Sequence, residues 1–131
     1  MSDKLHFSLV SPERELFSGE VDQVDAPGSE GQFGVLPGHA PFMTTLKAGV
    51  VEVFEGDART RLFVRSGFAD VTPQGLTVLA EEAINLDGFD ASASKTALAE
   101  AQDALIAAED DHEKEHLTET ITYLEALIAA A

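Results

Sequence analysis

Residues Ala26 to Phe42, A-P-G-S-E-G-Q-F-G-V-L-P-G-H-A-P-F, hold four glycines and three prolines in seventeen positions. Gly28, Gly31, Gly34 and Gly38 permit positive φ or close backbone approach, while Pro27, Pro37 and Pro41 fix φ and push the residues before them toward extended geometry. A flexible linker needs glycine and serine, not interleaved proline. With Phe33, Val35, Leu36 and Phe42 available to bury, the stretch reads as ordered turns and short strands that present polar tips. Those tips are Ser29, Glu30, Gln32 and His39.

Outward from this segment, Lys4 to about Asn85 is punctuated by Gly and Pro and rich in Val and Phe. Leu5, Phe7 and Leu9 alternate with polar neighbours, and Val50 to Phe54 is a short apolar run, both signs of strands. Further strands are expected at Glu20 to Asp25, Arg59 to Arg65, Phe68 to Thr72 and Leu76 to Ala80, with Gly56, Gly67 and Pro73 to Gly75 as turns between them. Many short strands at close spacing predict a β-sandwich or barrel.

After Gly88 alanine dominates, Gly and Pro are absent, and apolar residues recur every three to four positions. The boundary divides the chain into domains 1–87 and 88–131. Leu98, Ala101, Leu105 and Ala108 would share one helical face, and Leu117, Ile121, Leu124 and Ile128 another. The charged run Glu109 to Glu115 between them suits the solvated turn of an antiparallel helical hairpin. That arrangement buries both stripes, whereas the alternative, one long helix, leaves them without a partner. Asp90 and Ser92 are the candidate N-caps of the first helix. The fold class expected is α+β, a β-sandwich followed by a helical hairpin.

Composition excludes several functions. In 131 residues there are 24 acidic and 8 basic side chains, a formal net charge of −16, which opposes binding to nucleic acid or to anionic lipid. The absence of cysteine removes disulfides, thiolate nucleophiles and cysteine metal sites. Uncharged apolar runs fall far short of the ~20 residues that a spanning helix needs. The start, M-S-D-K-L-H-F, has no secretory pattern.

His112-Glu113-Lys114-Glu115-His116 matches the zinc-protease pattern H-E-x-x-H. Its flanks are hydrophilic, and a catalytic zinc needs a third protein ligand and a partly dry cavity. A charged turn that contains two histidines accounts for the same residues, so no metal is expected. Gly28 to Gly34 lacks the G-K-[ST] ending of a phosphate-binding loop, and Glu30 would put negative charge where phosphate would sit. His39 has no companion nucleophile. No catalytic residue and no cofactor is expected.

Four blocks in order, S-P-E-R-E-L-F-S-G-E-V (Ser11 to Val21), A-P-G-S-E-G-Q-F-G-V-L-P-G-H-A-P (Ala26 to Pro41), L-K-A-G-V-V (Leu46 to Val51) and L-T-V-L-A-E (Leu76 to Glu81), carry a resemblance. The chain resembles the epsilon subunits of bacterial F-type ATP synthases over essentially its whole length. The resemblance implies a non-catalytic rotor component peripheral to the cytoplasmic face of the bacterial inner membrane. Its sandwich would bind the gamma subunit and the polar loops of the c-ring, linking proton flow to ATP synthesis. It also implies that the turns around Gly28 to Gly34 and Pro37 to Pro41 face the ring, which makes Ser29, Glu30, Gln32, His39 and Phe42 the contact candidates. Family members often carry an acidic residue where Gln32 stands, so Glu30 is the expected charge partner.

In such proteins the hairpin can extend against the alpha and beta catalytic subunits and inhibit ATP hydrolysis through basic residues. From Asp90 onward this chain has ten acidic residues against Lys95 and Lys114. Like charges at close range cost ~1 kcal/mol per pair even with aqueous screening, so weak inhibition is expected. The family's nucleotide pattern, I/L-D-x-x-R-A, is kept at Asp90, but Ala93 stands where the arginine belongs. A free-standing β-sandwich binding module is the alternative reading.

Overall fold

The computed structural model describes residues 4–131, so the N-terminal reading of Met1 to Asp3 lies outside the described residues. The chain forms two compact units, one ending at Asp87 and the other spanning Gly88–Ala131. In the first unit, β1 (Leu5–Val10), β2 (Glu15–Val21), β3 (Gln23–Gly28), β4 (Gly31–Val35), β5 (Phe42–Leu46), β6 (Gly49–Glu55), β7 (Ala58–Val64), β8 (Gly67–Thr72), β9 (Gly75–Ala80) and β10 (Ala83–Asn85) follow one another.

These ten strands share one continuous hydrogen-bonded ladder in the order β10-β7-β6-β3-β5-β8-β9-β1-β2, with β4 paired to β3. All pairings are antiparallel except β1 with β9. The link between β3 and β5 is a single residue pair, Gly28 with Leu46. That narrow join divides the ladder into two halves, β10-β7-β6-β3-β4 and β5-β8-β9-β1-β2, whose inner faces enclose one core.

Alternation builds that core. Leu5, Phe7 and Leu9 of β1, Val51 and Val53 of β6, Leu62 and Val64 of β7, and Leu76, Val78 and Ala80 of β9 are buried in it. Burying a side chain of this size is worth ~1.5–3 kcal/mol. The Phe7 ring lies 5.4 Å from Phe17 of β2.

The segment Glu20 to Asp25 is not one strand. It breaks at Asp22, because the buried residues Val21 and Val24 are three apart, not two, and a straight strand would turn one of them outward. The Glu15 to Gly19 part of β2, β5 and β10 lie outside the strands expected from sequence; β5 and β10 are short and follow closely on a turn or a charged pair. Gly67, expected in a turn, instead opens β8 opposite Ala80, where an added Cβ would lie 2.1 Å from the Leu79 carbonyl oxygen. Close backbone approach, not turn geometry, accounts for that glycine.

The second unit holds α1 (Ser92–Ala107) and α2 (Asp111–Ala130), which pack on each other as a hairpin. Ala101 and Leu124 of the two expected stripes are buried, as is Leu127, which the stripes omitted. The turn is shorter than expected and spans only 108–110. Asp111 to Glu115 belong to the first turns of α2, where negative side chains favour the helix N-terminus, and the Asp110 side chain caps by accepting the Glu113 N–H at 3.2 Å. The cap position of α1 is Ala91, without a side-chain cap bond, in place of Asp90 or Ser92. Asp90 still orders the approach: its Oδ1 accepts from the Ser92 N–H at 2.9 Å and from Ser92 Oγ at 2.8 Å.

Candidate interaction site on the β3–β4 hairpin

The β3–β4 hairpin pairs Val24 with Val35, Ala26 with Phe33 and Gly28 with Gly31, leaving Ser29 and Glu30 as its two-residue turn. Gly31 has φ +141°, a conformation open chiefly to glycine. A Cβ on Gly28 would lie 2.6 Å from the Gly31 carbonyl oxygen, so the reversal is as tight as its residues allow. Ser29 is exposed yet fixed: its N–H donates to the Thr45 carbonyl at 3.0 Å, and its Oγ shares a 2.7 Å hydrogen bond with Thr45 Oγ1. Lys47 N–H, just past the end of β5, donates to the Pro27 carbonyl at 3.0 Å, so the β3 arm of the turn is braced on either side of Gly28. Glu30 and Gln32 are exposed, and Glu30 has no ion-pair partner among the described residues.

The connection from β4 to β5 is held by rings. Phe42 stacks edge-on to Phe33, centroids 5.2 Å apart at 75°, and lies 5.5 Å from the His39 ring. Such aromatic pairs contribute ~0.5–1.5 kcal/mol beyond the area they bury. Phe33 and Phe42 also pack on the core cluster. His39 Nδ1 is 2.7 Å from the Ala40 carbonyl oxygen, and its backbone N–H donates to the Leu36 carbonyl at 3.2 Å. Gly38 takes φ +77° within this bend.

The sequence-derived candidates therefore separate by role. Phe33, His39 and Phe42 are brought together as a half-buried ring cluster, Ser29 is anchored to β5, and Glu30 and Gln32 are exposed polar groups. Leu36, read as a residue to bury, is instead 55% exposed, because the ladder pairing ends at Val35. Met43 is 62% exposed on the outward side of β5, beside Thr45 in the strand's alternation. Neither Met43 nor Thr45 was singled out from sequence; the signal available was alternation in F-M-T-T-L, five residues that follow a proline.

Asp90 stands before α1 with its carboxyl held below the usual carboxylate value, first by the Ser92 backbone N–H and then by the Ser92 hydroxyl. His112 and His116 are exposed on α2. Among the described residues no group of three or more His, Cys, Asp or Glu is placed to hold a metal ion. Nor is any helix among them long and apolar enough to cross a membrane.

Residues 4–86 match the family described as ATP synthase, Delta/Epsilon chain, beta-sandwich domain. The chain is 58% identical to the ATP synthase epsilon chain of Hyphomonas neptunium over 132 aligned positions, covering 99% of this chain and 98% of that one. It is 48% identical to the epsilon chain of Maricaulis maris, over 100% of this chain and 98% of the relative. Among solved structures, a chain in the Euglena gracilis mitochondrial ATP synthase OSCP/F1/c-ring assembly superposes with TM-score 0.83 at 26% identity, covering 99% of this chain and 82% of that chain. The chain thus belongs to the ATP synthase delta/epsilon family, whose sandwich domain is the ten-strand unit described above. Its full-length relatives are epsilon chains, and its role is that of a central-stalk subunit of a rotary ATP synthase.

Proposed function

We propose that the sandwich couples the rotating c-ring to the stalk by binding both gamma and the polar loops of the ring, with Glu30 and Gln32 as the ring-facing contacts. One observation carries the reading. The β3–β4 turn is pinned through Ser29 to Thr45, while its two longest polar side chains stay exposed. A contact that must resist torque benefits from groups already held in place, since little conformational entropy is then lost on engagement. Ser29, His39 and Phe42 hold the turn in this scheme. The subunit performs no chemistry itself and lies peripherally, on the cytoplasmic side, through its partners.

The hairpin is a weak inhibitor of hydrolysis in this reading, because its ten carboxylates face repulsion from acidic segments of the alpha and beta subunits. Asp90 as a nucleotide ligand remains a separate proposal, with its carboxylate already engaged by Ser92.

Changing Glu30 and Gln32 together to Lys should reduce ATP-driven proton pumping by reconstituted complexes while leaving the melting temperature of the subunit near that of wild type. Both side chains are exposed, and surface changes away from special features usually alter stability by under ~0.5 kcal/mol. Normal pumping by the double variant would sink the assignment of these two residues.

A further inference from the structure

The chain crosses from one half of the ladder to the other at Asp22, between the end of β2 and the start of β3. We propose that Asp22 is a latch that fastens the β6–β7 turn to the crossing between β2 and β3, at the end of β3 away from Ser29 and Glu30. The backbone N–H of Asp22 donates to the Phe54 carbonyl of β6 at 2.8 Å. Its Oδ2 accepts the N–H of Gly56, in the two-residue turn between β6 and β7, at 2.6 Å. Its Oδ1 accepts from Lys4 Nζ, just ahead of β1, at 2.5 Å. One side chain thereby ties the foot of β1, in one half, to the β6–β7 turn in the other.

The two bonds are not equal. An ion pair as exposed as Lys4 with Asp22 contributes little, because water and salt screen it. The bond from Gly56 satisfies a backbone donor with an ionised acceptor, and charge-assisted bonds of this kind are shorter and stronger than neutral ones. Gly56 has φ +57° at the first position of its turn, so the turn conformation itself presents the amide. Of the other charged groups nearby, Glu55 on β6 acts on Lys4, and Asp57 completes the turn.

The Gly56 bond first, and Lys4 second, hold the Asp22 carboxyl below its ordinary value of 3.8. A depressed carboxyl contributes its stability above the unfolded value, and that contribution is lost as pH falls from 3.8 through the lower folded value. The latch therefore stays shut at neutral pH and releases only in acid.

Two measurements on the full chain test this. In wild type, the Gly56 amide proton resonance should titrate together with the Asp22 carboxyl, with a midpoint below 3.8. At neutral pH, Asp22→Ala should speed hydrogen exchange at Gly56 several-fold, and Lys4→Met should leave it close to wild type. A Gly56 resonance that does not move through the Asp22 titration would overturn the latch. So would a Lys4→Met variant that reproduces the whole effect of Asp22→Ala. If Asp22→Ala fails to fold, the wild-type titration alone decides.

Discussion

Asp90 and Asp22 show two uses of a carboxylate by the backbone. Asp90 accepts two bonds from Ser92 and so shapes the entry to α1 without occupying its cap position. Its folded value is depressed, so its contribution is present above the unfolded value of 3.8 and disappears as pH falls through the folded one. Asp90→Ala should therefore reduce hairpin helicity at neutral pH, measured by circular dichroism, and the difference from wild type should vanish in strong acid. An equal loss at both pH values would mean that the carboxylate charge is not the cause. Asp90 was legible as a helix-start residue because Asp before an alanine-rich run has few other local uses. Asp22 was not, since both of its side-chain partners lie 18 and 34 residues away.

Among the elements, the helices and the isolated strands differ in how openly the sequence declares them. The two helical stripes are visible as a three-to-four-residue recurrence of apolar side chains, but the turn between them is narrower than its charged run, because charge marks a helix N-terminus as well as a solvated turn. Acidic side chains at the start of α2 satisfy both descriptions. Leu127 is 2% exposed and Ile106 is 85% exposed, though both are large aliphatics on the same hairpin. Leu127→Ala should cost ~2–5 kcal/mol by removing buried methyl groups, whereas Ile106→Ala should stay within ~0.5 kcal/mol. Thermal denaturation followed at 222 nm distinguishes them, and a large effect of Ile106→Ala would reveal packing on that side of α1. Among the strands, β1 could be read directly from alternation and β9 from its apolar run after a turn, while β5 and β10 could not, because five and three residues are too short to display a period.

For the whole molecule, the two units carry different surfaces. The sandwich offers a rigid polar turn, and the hairpin offers concentrated negative charge. On the proposed reading of the hairpin as a weak inhibitor, truncation after Asp87 should raise the ATPase activity of the assembled complex only slightly. Several-fold activation on removing it would show that the hairpin inhibits despite its charge. Composition, periodicity and the Gly/Pro segment from Ala26 to Phe42 were enough to determine a strand-rich sandwich or barrel followed by a helical tail, since these are local properties that each residue reports about its own surroundings, and the four motif blocks selected the sandwich and hairpin through their resemblance. Only the tertiary structure decided that the strands form one ladder joined at Gly28 and Leu46, that the Phe33, His39 and Phe42 rings meet, and that Asp22 binds Lys4 and Gly56. The Gly28–Leu46, Lys4–Asp22 and Asp22–Gly56 contacts join residues 18 to 34 apart in the chain, and pairing at such a distance is selected by the shape of the shared core, which no single segment contains.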